Sequence, residues 1–401
     1  MSDPRPDRVR VSGPLASFAE GFGAELVGRG YALRSVQSQL ELLAQLSRWM
    51  GGEGLDVGDL SPLAVRRFLT ERRHRYASEM SAKRLCPLLD YLDGLGVLQA
   101  GEQVELTAVD RLLEDFRRYL FEERGLVSGS VELYAGVARR FLEERSEPLA
   151  DDLAQLSGRP INAFVLRESR RVKPRTAETV VCALRALLRF LHVQGLVTAP
   201  LAEAVPSVPQ RREGLPRGLP VSQVRLLLDA CDRSTTVGRR DFAILMLVAR
   251  LGLRCGEVAG LRLDDLDWRA GEVVIRGKRS RTDRLPLPWD VGEAMADYLR
   301  QARRPGFGPT VFLRAQAPIT GMSGDGVSEV VRRAAERAGI PPLRAHRLRH
   351  TVATELLRRG ASLPEIGQVL RHQSIETTAV YAKVDRAALS RLALPWPGSR
   401  S

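Results

Sequence analysis

Residues 241–257 read DFAILMLVARLGLRCGE, a long apolar run leading into Gly252-Leu253-Arg254-Cys255-Gly256-Glu257. The unbroken run from Phe242 to Ala249 lacks the alternation of a half-exposed strand. The length of the Asp241–Leu253 segment predicts a helix buried on most sides, at the centre of a domain. Upstream, Val221–Cys231 has helical spacing. Downstream the period changes: Glu272-Val273-Val274-Ile275-Arg276 is brief and β-branched, and Arg284-Leu285-Pro286-Leu287 follows a polar turn that contains glycine. That pattern predicts a β-hairpin. Helical spacing returns at Val291 and runs to about Ala393. Residues 221–393 are therefore expected to form one domain, mainly α with a small β-sheet, followed by a tail over 394–401.

The segment Pro206–Pro220 holds four prolines, two glycines and three arginines. This composition makes a stiff exposed connector, and the linker is placed at 207–220. Ahead of it the apolar residues keep helical spacing, as in Val36, Leu40, Leu43 and Leu46, with no strand-like alternation. Two helical modules are expected, 15–100 and 106–206, each a small bundle of about four helices, after a loose Pro- and Arg-rich tail over 1–14. The second module repeats landmarks of the first. Gly30 and Ser35-Val36 recur as Gly125 and Ser130-Val131, Leu60-Ser61 and Phe68 as Leu156-Ser157 and Phe164, and Tyr91-Leu92 and Gly96 as Phe190-Leu191 and Gly195. The regular offset indicates a tandem duplication with small loop insertions.

With 61 Lys and Arg against 48 Asp and Glu, the formal charge is +13, which favours a polyanionic partner. Arg170, Arg171, Lys173 and Arg175 cluster before a helix expected from Thr176. Of these, Lys173 and Arg175 are assigned to DNA contact, against the plainer reading of a solvated loop. Cys86, Cys182, Cys231 and Cys255 stand far apart, so neither a disulfide framework nor a metal site is expected. No stretch reaches the roughly 18 apolar residues a membrane span needs, and a cytoplasmic location without membrane contact is expected.

Four clusters carry the chemistry: Gly252 to Glu257; Gly277-Lys278; His346-Arg347-Leu348-Arg349-His350; and Leu370-Arg371-His372 followed by Tyr381. Each is weak alone; together their order and spacing are specific. Three of the five histidines fall within them. The clusters resemble the tyrosine recombinases, also called the phage integrase family, over about Leu219 to Asp385 and more loosely over the second helical module.

The resemblance implies a mixed α/β catalytic domain preceded by helical DNA-binding modules, the second a core-binding (SAM-like) domain. It implies a catalytic set of Arg254, Lys278, His346, Arg349, His372 and Tyr381. Displacement at a phosphodiester builds negative charge on a pentacoordinate phosphate, and in a site without metal fixed cations must meet it. Arg254 and Arg349 supply planar donors that stay charged at any working pH. His346 and Arg349, three apart on a helix, share a face. His346 would assist proton transfer and His372 would donate to the phosphate. Tyr381 would attack to form a 3′-phosphotyrosyl link while Lys278 protonates the departing 5′ oxygen. Because the link conserves the bond energy, no cofactor is needed to reseal.

Glu257 is expected to orient Arg254 or its helix, and His350 to be structural or to support the catalytic residues from behind. The family commonly has glycine after the hairpin lysine and before the late histidine, where this chain has Arg279 and Arg371. Those residues, with Arg281, are expected to add phosphate contacts. The implied partners are double-stranded DNA sites and three further copies of the chain in a tetrameric synapse, with room for accessory proteins. Two rivals remain: a type IB topoisomerase, which shares the phosphate chemistry, and a DNA-binding protein that has lost catalysis.

Overall fold

The computed structural model describes residue 6 and residues 9–75, 82–98, 107–207, 218–277 and 282–371. They pack as two compact units, one drawn from 1–99 with 214–401 and one from 100–213.

The first module comprises α1 (Ala19–Gly28), α2 (Leu33–Glu53), α3 (Pro62–Arg75) and α4 (Cys86–Gly94). Phe22, Leu43, Leu46, Met50, Leu88 and Leu92 form its buried centre. Order begins earlier than the expected boundary at Leu15. Val9 and Val11 pack half-buried against this core, because two valines spaced by two place both side chains on one side of an extended chain.

The second module comprises α5 (Ala108–Arg118), α6 (Ser128–Leu142), α7 (Leu149–Ala154), α8 (Gly158–Arg171) and α9 (Pro174–Val193). Its core is aromatic, with Phe141 edge-on to Phe164 at 5.2 Å and Phe116 against Phe190 at 5.4 Å. Helix α9 begins at Pro174 rather than Thr176. Proline presets the φ of a first helical residue and lacks only an N–H that would have had no partner.

The repeated landmarks occupy equivalent places in the two modules. Ser35 and Val36 both donate to Ala32 O as α2 starts, and Ser130 and Val131 both donate to Val127 O as α6 starts. Helices α3 and α8 each span 14 residues, with Phe68 and Phe164 buried at matching positions. Both last helices end alike: Gly96 and Gly195 have positive φ, and the next residue donates five positions back, Val97 to Leu92 O and Leu196 to Leu191 O. Such an end needs glycine in the left-handed region. The repeated letters thus coincide with repeated local geometry.

The remaining elements are α10 (Val221–Asp229), α11 (Thr236–Leu251), α12 (Cys255–Ala259), β1 (Leu266–Asp267), β2 (Glu272–Arg276), β3 (Thr282–Pro286), α13 (Trp289–Gln301), α14 (Gly324–Arg337), α15 (Ala345–Arg358) and α16 (Leu363–Val369). Helix α11 is the axis of this core, with Ala243, Ile244, Leu245, Leu247 and Val248 fully buried. It starts five residues before the expected Asp241. Thr235 Oγ1 accepts from Gly238 N at 3.0 Å, capping the first turn, and Arg240 spends its charge internally. Its Nη2 donates to Asp241 Oδ1 at 2.8 Å and its Nη1 to Leu313 O at 3.0 Å. A buried, mutually satisfied ion pair thus sits at the junction of the expected helix and the helical turn that precedes it.

The hairpin forms in antiparallel register from Glu272 opposite Pro286 to Arg276 opposite Thr282. Alternation along β2 turns Val273 and Ile275 into the core. A third strand, β1, pairs Leu266 with Val273; two residues are too few to show a period. Asp265, 1% exposed, receives Arg276 Nη2 at 2.6 Å and ties the sheet to the turn before it. Among the described residues no helix is long and apolar enough to cross a membrane.

Candidate active site

Helix α11 ends at Gly252, φ +60, where a Cβ would lie 2.7 Å from Leu370 Cδ2. Both the left-handed backbone and the close approach demand glycine. The chain turns through buried Leu253 and places Arg254, extended at ψ 150, at the head of α12. One turn on, Glu257 folds back. Its Oε2 accepts from Arg254 N at 2.8 Å and its Oε1 from Arg254 Nη1 at 2.6 Å. Short α12 brings the Glu257 carboxylate back to two donors of Arg254, and a carboxylate three residues into a helix satisfies an otherwise orphaned N–H. Burial pushes the Glu257 carboxyl up, but the Arg254 N–H and the charge of Arg371 outweigh it and hold the group below its ordinary value. Glu257 is therefore a carboxylate throughout the neutral range.

Arg349 approaches from α15. It is 2% exposed, and its Nη1 donates to Gly252 O and its Nη2 to Leu370 O. Arg254 Nη2 donates to the neighbouring Arg371 O at 3.1 Å. Two guanidiniums far apart in sequence thus dock on consecutive carbonyls, and the Arg254 side chain keeps 45% of its surface exposed. Helix α16 presents those carbonyls. Ser362 caps it reciprocally with Glu365, and Ile366 and Leu370 pack against Val352 and Ala353 of α15 in a small separate core.

His346 lies on α15 three residues before Arg349 and is exposed. Its ring meets that of His350 edge-on at 4.5 Å. His350 is half-buried, and burial, with His346 and Arg349 nearby, pulls its pKa down to about 4. It is neutral at physiological pH and so is not a phosphate cation. An unfolded histidine titrates near 6.5, so as pH falls from there toward 4 the unfolded chain takes up a proton that the folded one refuses. Stability should drop on the order of 1–2 kcal/mol between pH 7 and 5. Thermal melts of the wild type and His350→Gln at the two values check this: the wild type should lose more Tm on acidification than the variant.

The structure therefore brings together Arg254, Glu257, Arg349 and the Leu370-Arg371 step, with His346 on the helix that carries Arg349. Lys278, Arg279, Arg281, His372 and Tyr381 lie outside the described residues. Lys173 is exposed immediately before α9, and the side chain of Arg175 lies outside the described residues. One expectation needs correction. Arg371 is not an exposed phosphate contact: it is 6% exposed and donates from Nη2 to Glu257 Oε2 at 2.8 Å and from Nη1 to Val369 O at 3.0 Å. The carboxylate its charge pairs with lies 114 residues away in sequence, and the hint to it was an arginine where the family commonly has glycine.

Comparison with known proteins agrees with this geometry. The model of the phage integrase family matches residues 217–387. A putative integrase/recombinase, y4rA, of Sinorhizobium fredii is 40% identical over 96% of this chain and 95% of its own length. The tyrosine recombinase XerD of Listeria monocytogenes is 30% identical over 69% of this chain and 95% of its own. Among solved structures, a lambda integrase tetramer bound to a Holliday junction shares the fold at a TM-score of 0.52 and 17% identity, over 74% of this chain and 90% of that one.

Proposed function

This chain belongs to the phage integrase family of tyrosine recombinases, and from that premise we propose that it cuts and rejoins double-stranded DNA at specific sites to move a mobile element. The observation that carries the reading is the docking of Arg254 and Arg349 on the consecutive carbonyls of Arg371 and Leu370, directly before His372 in sequence. Arg254, with 45% of its side chain exposed, is open to a phosphate whose charge grows in the transition state, while buried Arg349, both Nη groups on carbonyls, adds positive charge behind it.

In this reading Tyr381 attacks phosphorus, the P–O bond to the 5′ carbon's oxygen breaks, and Lys278 gives that oxygen a proton. His346 takes up the phenol proton and His372 donates to a non-bridging oxygen. Reversal with a 5′ hydroxyl from another duplex exchanges strands. The lambda integrase tetramer on a Holliday junction supports four copies acting together.

The test is a nicked duplex carrying the flanks of the element that encodes the protein. Cleavage beside the nick releases a short fragment and traps the adduct, and peptide mapping identifies the attached residue. A mapped phosphotyrosine at Tyr381 supports the reading; relaxation of arbitrary supercoiled plasmid without a trapped site-specific adduct favours a topoisomerase instead.

Residues 221–393 hold 29 Lys and Arg against 19 Asp and Glu, most of the excess charge of the chain. Binding should therefore weaken steeply with salt, by about 10³-fold between 50 and 200 mM if some six phosphates are neutralised. A titration of affinity against salt measures the slope, and a flat response would remove phosphate contact as the main source of affinity.

A further inference from the structure

We propose that Arg371 is a positioning residue for Arg254, which it holds through Glu257 and through its own carbonyl; the inference deepens the recombinase reading above and rests on it. Arg371 is the one described non-glycine residue with positive φ, at 52°. That conformation disfavours an L side chain, so the arginine stays there against a conformational cost that glycine would not meet. What offsets it is visible. The side chain is 5% exposed and its Nη2 meets Glu257 Oε2 at 2.8 Å.

These bonds close a ring. Arg254 Nη1 donates to Glu257 Oε1, Glu257 Oε2 accepts from Arg371 Nη2, and Arg371 O accepts from Arg254 Nη2. Both terminal nitrogens of Arg254 are pinned, one by each end of the Glu257–Arg371 unit. The second guanidinium also shares the carboxylate. With glycine at 371 the full negative charge of Glu257 would fall on Arg254 and oppose the attraction of its guanidinium for phosphate. With arginine there, one carboxylate faces two guanidiniums and the cluster keeps net positive charge. Arg371 itself, buried with both Nη groups engaged, does not present its charge outward.

The test compares Arg371→Gly, Arg371→Lys and Arg371→Gln with wild type. Three measurements are made: the single-turnover rate of adduct formation, DNA affinity, and the rate at which phenylglyoxal modifies Arg254, read by peptide mass spectrometry. Glycine relieves the backbone, so a merely structural role predicts equal or better function. Positioning predicts affinity within about 2-fold of wild type, adduct formation slowed roughly 10- to 100-fold, faster modification of Arg254, and partial rescue by lysine. In a Glu257→Gln background the further loss from Arg371→Gly should shrink to about 2-fold or less. Should the glycine variant fail to fold, lysine must still exceed glutamine; equal rates overturn the proposal. Wild-type cleavage and unchanged Arg254 modification in Arg371→Gly also overturn it. If no adduct forms with any protein, the recombinase reading fails, while the modification rates still decide the role of Arg371.

Discussion

Tyr381→Phe is expected to abolish the covalent protein–DNA adduct, by on the order of 10⁴-fold or more, while DNA affinity stays within about 2-fold. The change removes one oxygen and leaves the ring, so packing and charge are preserved. A phenol titrates near 10 and attacks poorly at neutral pH unless positive charge stabilises its phenolate; in the proposed mechanism that charge comes from Arg254 and Arg349. The only other tyrosine between 221 and 393 is Tyr298, and it is unsuited to attack. It is 2% exposed, stacked on Phe312 at 5.4 Å, and its hydroxyl accepts from Leu313 N at 3.2 Å. Burial raises its pKa further. Adduct formation is read on the nicked duplex by denaturing gel, and binding by mobility shift. An adduct of normal yield from Tyr381→Phe would remove this residue from its role.

The parts of the fold that the sequence revealed are those where one physical requirement dominates. A run as apolar as 242–249 has to be central, and α11 is buried accordingly. Its end at Leu251 falls short of the expected Leu253, because Gly252 takes a left-handed turn where a Cβ would strike Leu370. The β-branched residues of β2 alternate inward as expected. What stayed hidden depends on partners remote in sequence. The part of α11 ahead of the expected start at Asp241 includes Arg240, whose charge is satisfied by Leu313 O and by Asp241. Strand β1 is set by its pairing with β2 rather than by any pattern of its own.

The candidate site divides in the same way. Arg254, His346 and Arg349 are named by the resemblance to the family, and local geometry fits them: His346 and Arg349 are three apart on α15, and Glu257 is a carboxylate three residues into α12. Arg371 was singled out only as a departure from glycine, and its inward direction follows from a carboxylate on α12 that no local pattern could supply. Lys173 and Arg175 illustrate the limit of charge as a signal. A basic cluster identifies a surface, whereas the partner is decided by what that surface meets.

Arg349→Ala is expected to lose both the chemistry and part of the fold, and Arg349→Lys to separate the two. In the folded chain the guanidinium binds Gly252 O and Leu370 O together, so one planar group fixes the turn ahead of Arg254 to the segment ahead of His372. Alanine would leave both carbonyls without this donor in a buried place, at a cost on the order of 3 kcal/mol, read as a lowered Tm. Adduct formation should fall by more than about 10³-fold. Lysine keeps the charge but concentrates it on one nitrogen that cannot span two carbonyls. It should recover most of the Tm and little of the rate, remaining at least about 100-fold slow. If rates corrected for the folded fraction instead return to wild type in Arg349→Lys, the residue is a clamp between loops and nothing more. The planar fork matters for chemistry only if holding the loops and answering the charge on the phosphate oxygens are tasks that a point charge cannot perform at once.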